Sequence, residues 1–172
     1  MLFRSIVSYS IYGLSLVVLY VASTLYHSAV TKKMQGILRI VDHATIYLLI
    51  AGSYTPITLL ALQGIWGWTL FGIVWGLAVL GIILKLIGLE KTKHLSMTLY
   101  FLMGWLVVVA IKPMLESVVP QLLLLMLAGG LFYTLGIIFY AAKRIPFNHG
   151  IWHLFVLGGS ICHFIGFLLY LS

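Results

Sequence analysis

Two histidines near the end of the sequence have the spacing and chemistry of a binding site. His149 and His153 lie four residues apart in the segment "NHGIWHLF", at the start of a long apolar run. On an α-helix this spacing places both side chains on one face, about 6 Å apart along the axis. Imidazole is a common metal ligand, and burying an uncompensated polar group is costly. The pair therefore predicts either a metal site or hydrogen-bonded packing within a helical bundle.

The composition indicates that this bundle lies in a membrane. The chain has 172 residues, of which 63% are hydrophobic and only 8% are charged. Soluble domains carry roughly 25% charged residues, and the mean hydropathy here is +1.16. Both values predict an integral membrane protein built from spanning helices rather than a soluble domain.

Apolar runs of about 20 residues predict where these helices lie. We expect an all-α, polytopic transmembrane bundle forming a single domain over residues 1–172. Its six predicted spans cover approximately residues 4–28, 37–61, 67–88, 96–112, 120–142 and 149–171.

Proline and glycine predict local features within the spans. Pro56 lacks a backbone N–H to donate to the carbonyl of Gly52, so the second span should kink at this residue. Paired glycines in the last two spans should allow neighbouring helices to approach closely. These glycines are Gly129, Gly130, Gly136, Gly158 and Gly159.

The basic residues predict the orientation of the spans. The first, third and fifth connections carry most of them: Lys32, Lys33, Arg39, Lys91, Lys93, Lys143 and Arg144. The positive-inside rule then places these loops in the cytoplasm and both termini outside, in the plasma (inner) membrane. We expect Lys85, near the end of the third span, to extend its ammonium group to the same cytoplasmic interface.

The same distribution bears on partners. Although the formal net charge is +7, the positive residues are spread over separate loops instead of one face, which excludes a nucleic-acid partner. Membrane lipids are the expected partners. The sequence leaves the oligomeric state open, and a homo-oligomer is compatible with it.

Further polar residues fall at the predicted cytoplasmic ends of other spans. His27 ends the first span, with Ser23 one turn earlier, and Asp42 lies near the start of the second. Together with His149 and His153 they form a set suited to Zn²⁺, because three imidazoles leave one tetrahedral position open for water. Asp42 would hold that water or bind the metal, and Ser23 would support a ligand or an oxyanion.

Other interpretations of these residues remain open. Each histidine could be a hydrogen-bonded packing residue, and Asp42 could pair with Arg39 one turn away. Haem is a second possible ligand, although its axial ligands approach from opposite faces and two histidines one turn apart suit a small ion better. Three further histidines are expected to lie outside the site. His43 would be a packing or interfacial residue, and His163 lies about 20 Å further along its helix than His149, too far for the same ion. His94 is expected in a solvated loop.

With these residues in place, the chain resembles the hemolysin III family, the bacterial branch of the progestin and adipoQ receptor superfamily. The resemblance rests on "YGLSLVVLYVASTLYHS", "VDHATIYLLIAGSYTPITLL", "LYFLMGWLVV" and "GGLFYTLGIIFYAAKRIPFNHGIWHLFVLGGSICHF". It implies that His27, His149 and His153 bind zinc near the cytoplasmic face, and that Asp42 orients a zinc-bound water. Members of the superfamily include lipid amidases such as ceramidases, and receptors with similar hydrolytic capacity.

The resemblance also raises an expectation about the start of the chain and leaves three functions to separate. The family has seven helices with an internal N-terminus, so these six spans are expected to correspond to its second to seventh helices.

The first function is a zinc-dependent hydrolase of lipid amides or esters, or a membrane-lipid homeostasis factor. The second is a pore-forming cytolysin, and the third is a receptor-like regulator in which zinc is structural. Whether the chain is an enzyme is left open by the sequence.

Overall fold

The structure is a computed structural model that describes residues 2–62, 64–88 and 93–171. All regular elements in these ranges are helical, as predicted. The seven α-helices are α1 (Leu2–Ser28), α2 (Lys32–Pro56), α3 (Gly64–Gly88), α4 (Lys93–Trp105), α5 (Ile111–Ser117), α6 (Pro120–Ala141) and α7 (Asn148–Tyr170). A π-helical segment, Ile57–Leu62, continues α2, and a 3₁₀ segment, Leu106–Ala110, joins α4 to α5.

Six helical stretches in the described part of the chain are long and apolar enough to cross a membrane. This confirms the all-α fold and the six predicted spans. The fourth span was expected to end near residue 112, but helix continues to Ser117. Its continuation is possible because Pro113 falls in the first turn of α5, where backbone N–H groups have no intrahelical acceptor.

Pro56 marks a change of helix type in the second span. The α-helix ends at Pro56 and π-helical hydrogen bonding begins at Ile57. Because proline has no N–H to donate, the regular ladder is interrupted here, and a π segment is one way to accommodate that loss. The Thr58 hydroxyl donates to the carbonyl oxygen of Tyr54 at 2.9 Å. The structure thus places a change of helix type at this residue, and the predicted kink stays a prediction.

The helices form two compact units, Met1–Leu106 and Val107–Ser172. In the first unit α1 packs against α2, and α2 packs against α3 and α4. In the second unit α6 and α7 form a closely packed pair. The single transmembrane domain over residues 1–172 stays a prediction.

Glycines bring α6 and α7 together. A Cβ atom placed on Gly129 would collide with the His163 ring, and one on Gly136 would lie 2.9 Å from Cβ of Phe155. The predicted close approaches are therefore present at these positions, and also at Gly158 and Gly159. The prediction is wrong for Gly130, whose Cβ would meet no described atom within 4 Å. Adjacent helical residues point about 100° apart, and here Gly129 faces α7 whereas Gly130 points away from it.

Substituting these neighbouring glycines by alanine tests the packing. We expect Gly129→Ala to lower the apparent Tm by about 5 °C, because forcing a methyl group into a filled interface is destabilising. Gly130→Ala is the matched control and should leave Tm unchanged or higher, because alanine favours helix. Thermal unfolding in detergent micelles measures both. Equal shifts in the two variants would contradict the α6–α7 interface.

Candidate metal centre

The histidine pair opens α7. Phe147 precedes the helix with a left-handed backbone (φ 57°), and the Asn148 side-chain amide donates to the carbonyl oxygen of Tyr140 at 3.1 Å. The Nε2 atoms of His149 and His153 lie 3.1 Å apart, and their ring centroids are 4.8 Å apart. The four-residue spacing thus brings both rings to one face, as predicted.

This distance suits a shared ion. In a tetrahedral zinc site with Zn–N bonds of about 2.0–2.1 Å, two ligand nitrogens lie about 3.3 Å apart. At 3.1 Å the Nε2 atoms are also able to share a hydrogen bond, with one protonated ring nitrogen donating to the other. Aromatic rings pack against the pair. The ring centroids of Trp152 and His153 are 4.3 Å apart, and those of Tyr140 and His149 are 5.7 Å apart. The spacing of the pair is therefore compatible with a small cation as well as with a hydrogen bond.

His27 is the third predicted ligand. It lies near the end of α1 and is exposed, whereas His149 and His153 are half-buried. Among the described residues, these three histidines are the possible metal-binding group. Three imidazoles fit zinc, which binds nitrogen ligands and tolerates an open fourth position.

Two other histidines pack through hydrogen bonds to main-chain carbonyls. The His163 ring donates through Nε2 to the carbonyl oxygen of Met126 at 3.3 Å. The His43 ring donates through Nδ1 to the carbonyl oxygen of Arg39 at 2.7 Å. Neither histidine belongs to the three-histidine group. Packing was one of the two roles expected for His43, whereas His163 was expected only to lie too far along α7 for the same ion. The expected loop position of His94 is wrong, because this exposed residue lies in α4.

Ser23 and Asp42 lie at a common level on α1 and α2. A Cβ atom on Gly52 would overlap the Ser15 side chain, so these two residues are opposite each other in the antiparallel pair. Ten residues, about 15 Å, lead from Gly52 back along α2 to Asp42 and from Ser15 forward along α1 to Leu25. Asp42 therefore lies opposite Leu25, which falls between Ser23 and His27. Both Ser23 and Asp42 are buried. Their functional roles stay predictions.

A buried polar cluster surrounds Asp42. Its Oδ2 atom lies 3.8 Å from Nδ1 of His43. The Tyr100 hydroxyl donates to the carbonyl oxygen of His43 at 2.7 Å, and Lys85 Nζ lies 5.9 Å from the Tyr100 ring centroid. Lys85 is only 2% exposed, so its expected extension to the membrane interface is wrong. The protein encloses its ammonium group instead.

Sequence reasoning missed Lys85 and Tyr100 as neighbours of the predicted site. A signal for Lys85 was available, because it follows Gly81 by four residues and so shares the helix face on which a glycine permits close packing. No comparable pattern marks Tyr100, whose position depends on how α4 packs against α2. The pairing of Asp42 with Arg39 stays a prediction.

Comparisons with known proteins agree with this architecture. The family profile described as "Haemolysin-III related" matches residues 2–164. The chain belongs to the hemolysin III family. It is 47% identical to "Hemolysin-3" of Bacillus cereus over 166 residues, covering 96% of this chain and 76% of that protein. It is 48% identical to "Hemolysin-3 homolog" of Bacillus subtilis (strain 168), covering 96% and 78% respectively.

A more distant relative supports the wider superfamily. The human "Monocyte to macrophage differentiation factor" is 33% identical over 169 residues, covering 94% of this chain and 69% of the human protein. No solved structure matches the chain. Family membership and six apolar helices in the described residues identify a multi-pass hemolysin III membrane protein.

Proposed function

We propose that this hemolysin III protein is a zinc-dependent hydrolase that cleaves amide or ester bonds of membrane lipids, with a role in membrane-lipid homeostasis. The single observation that carries the proposal is the His149–His153 pair, whose Nε2 atoms lie 3.1 Å apart, and His27 would add the third imidazole of a three-histidine group. Such a group leaves a coordination position open, which is typical of catalytic rather than structural zinc. A buried carboxylate and hydroxyl, on Asp42 and Ser23, supply the other groups that acyl hydrolysis needs.

The donor set favours zinc over haem. Haem ligands lie on opposite sides of a flat macrocycle, whereas the Nε2 atoms of His149 and His153 are only 3.1 Å apart. Two nitrogens this close fit around one small ion and leave no space for a porphyrin between them. Neutral imidazole nitrogen also matches the ligand preference of zinc.

Bound zinc would supply Lewis acidity, polarising a carbonyl and lowering the pKa of a water to about 7. The chain's own side chains would accept and return the proton and would stabilise the negative charge that develops on the carbonyl oxygen. We propose that the Asp42 carboxylate accepts a proton from the attacking water as the water oxygen bonds to the carbonyl carbon. The Ser23 hydroxyl would donate a hydrogen bond to the carbonyl oxygen, which becomes negative. Asp42 would return the proton to the departing amine or alcohol as the acyl bond breaks.

Membrane lipids are the substrates that this location favours. The histidine pair is carried by α7, a helix with the length and hydropathy of a membrane span. Beyond the pair, α7 exposes apolar side chains, among them Leu154, Ile161 and Phe164. Acyl chains in the bilayer would therefore lie beside the helix that carries the site. A lipid with its carbonyl near the head group is a suitable substrate class.

A lipid panel tests this function. The purified chain in lipid nanodiscs would be supplied with N-acyl lipids of the ceramide type and with glycerophospholipid esters. We expect release of free fatty acid from at least one class, abolished by a chelator and restored by added Zn²⁺. A folded chain that carries zinc but releases no fatty acid from either class would contradict the proposal. That result would favour a receptor-like regulator with structural zinc.

Membrane lysis is the second candidate function. The observation that favours it is the 47% identity to a protein named "Hemolysin-3". Release of an encapsulated dye from vesicles of a lipid that the chain does not hydrolyse would measure lysis directly. Dye release that persists in His149→Ala would indicate a lytic activity independent of the metal centre.

A further inference from the structure

Two buried charges of opposite sign stand out in the first unit. Asp42 is 0% exposed and Lys85 is 2% exposed. Among the described residues, no other Asp, Glu, Lys or Arg is buried. Removing an ionised side chain from water is strongly unfavourable unless a partner compensates it. Each of these residues therefore calls for a group of opposite charge nearby.

The register of α2 and α3 places the two charges at one level. The Tyr47 ring occupies the space where a side chain on Gly81 would lie, so Tyr47 and Gly81 are opposite each other. Counting four residues back along α2 reaches His43, and four residues forward along α3 reaches Lys85. In antiparallel helices both steps move about 6 Å in the same direction. Lys85 therefore lies level with His43 and its neighbour Asp42.

The contacts of Tyr100, in α4, independently place Lys85 near His43 and Asp42. Its hydroxyl is 2.7 Å from the carbonyl oxygen of His43, and its ring centroid is 5.9 Å from Lys85 Nζ. The Tyr47 ring packs against the Tyr100 ring, with centroids 4.4 Å apart. These contacts enclose the ammonium group beside the α2 backbone next to Asp42. Register and side-chain contacts thus agree.

We propose that Lys85 is the charge partner of Asp42, forming a buried ion pair between α3 and α2. In this arrangement Lys85 is a positioning residue, which keeps the Asp42 carboxylate in one orientation. His43 Nδ1, 3.8 Å from the same carboxylate, is a further neighbour. The ion pair itself is independent of the proposed hydrolysis. Its role in aligning Asp42 with the attacking water rests on that proposed function.

A double-mutant cycle tests the ion pair without any assay of activity. We expect Lys85→Met to lower the apparent Tm by about 10 °C, because it leaves a buried carboxylate without its cation. Asp42→Asn should have a similar effect, and the double variant should recover most of the lost stability. Lys85→Arg should stay close to wild type. The matched controls are Lys112→Met and Glu116→Gln, which alter exposed residues of the second unit.

Two results would overturn the ion pair. One is a Lys85→Met variant whose apparent Tm equals that of Lys112→Met. The other is a double variant whose loss of Tm equals the sum of the losses in the two single variants. Coupling in the cycle would support the pair even if the wild-type chain hydrolysed no lipid. The failure of the pair and the failure of the hydrolase proposal are therefore distinguishable.

The positioning role needs a kinetic measurement. In the zinc-loaded chain we expect Lys85→Met to reduce kcat by at least about tenfold with KM nearly unchanged. The reason is that a misaligned base stabilises the transition state less but leaves substrate binding unaltered. Lys85→Arg should restore kcat. A coupled Tm cycle with an unaltered kcat would show that the pair is only structural and would overturn the positioning role.

Discussion

Asp42→Asn is expected to reduce the kcat of lipid hydrolysis by about 10²–10⁴-fold, the usual contribution of a positioned general base. Asparagine keeps the shape of the side chain but does not accept a proton from water. The buried position of Asp42 means that bulk solvent does not replace this function. The rate of fatty-acid release by the purified, zinc-loaded variant, measured below its melting temperature, gives the effect directly.

The control for this prediction is zinc content. Asp42→Asn should retain zinc, because three histidine ligands remain, and so its loss of activity would report proton transfer rather than metal loss. Glu116→Gln removes an exposed carboxylate and should keep full activity. An Asp42→Asn variant that binds zinc and hydrolyses lipid at the wild-type rate would show that Asp42 is not the base.

His149→Ala is expected to remove most of the stabilisation by zinc. A ligand that binds only the folded state at 1,000 times its Kd adds about 4 kcal/mol of stability, which raises Tm by about 10 °C in a chain of this size. Losing one of three imidazoles should weaken binding by more than about 100-fold, since even second-shell changes cost 10–100-fold. Thermal unfolding with and without added Zn²⁺ should therefore show a large shift only in wild type.

The control for His149→Ala is His94→Ala. His94 is exposed and lies outside the three-histidine group, so its variant should be stabilised by zinc as wild type is. A zinc-induced shift of wild-type size in His149→Ala would mean that another site holds the metal.

Much of the fold could be predicted because the membrane imposes strong constraints on sequence. A spanning helix requires about 20 apolar residues, so six runs predicted six helices. Pro56 lacks a donor, which predicted a kink at the residue where the α-helix ends and the π segment begins. The end of the fourth span was harder to predict, because Pro113 ends a helix in most positions but is tolerated in a first turn. The 3₁₀ segment before it creates that new first turn.

The candidate site could be predicted only where spacing or depth carries information. His149 and His153 share a face because they are four residues apart, and this follows from helix geometry. His27 was predicted through its matching position at a helix end, and its place in the site stays a prediction. Lys85 also lies near a helix end, which favours extension to the interface. Its actual burial depends on the packing of Tyr47 and Tyr100, which no periodicity in the sequence reports.

The most direct test of the central claim is the zinc content of the purified chain. The account predicts about one zinc per chain for wild type by elemental analysis, about one for His94→Ala, and close to none for His149→Ala. A wild-type chain that is folded and purified with zinc available, yet contains none, would contradict the account. Equal zinc content in wild type and His149→Ala would contradict it as well.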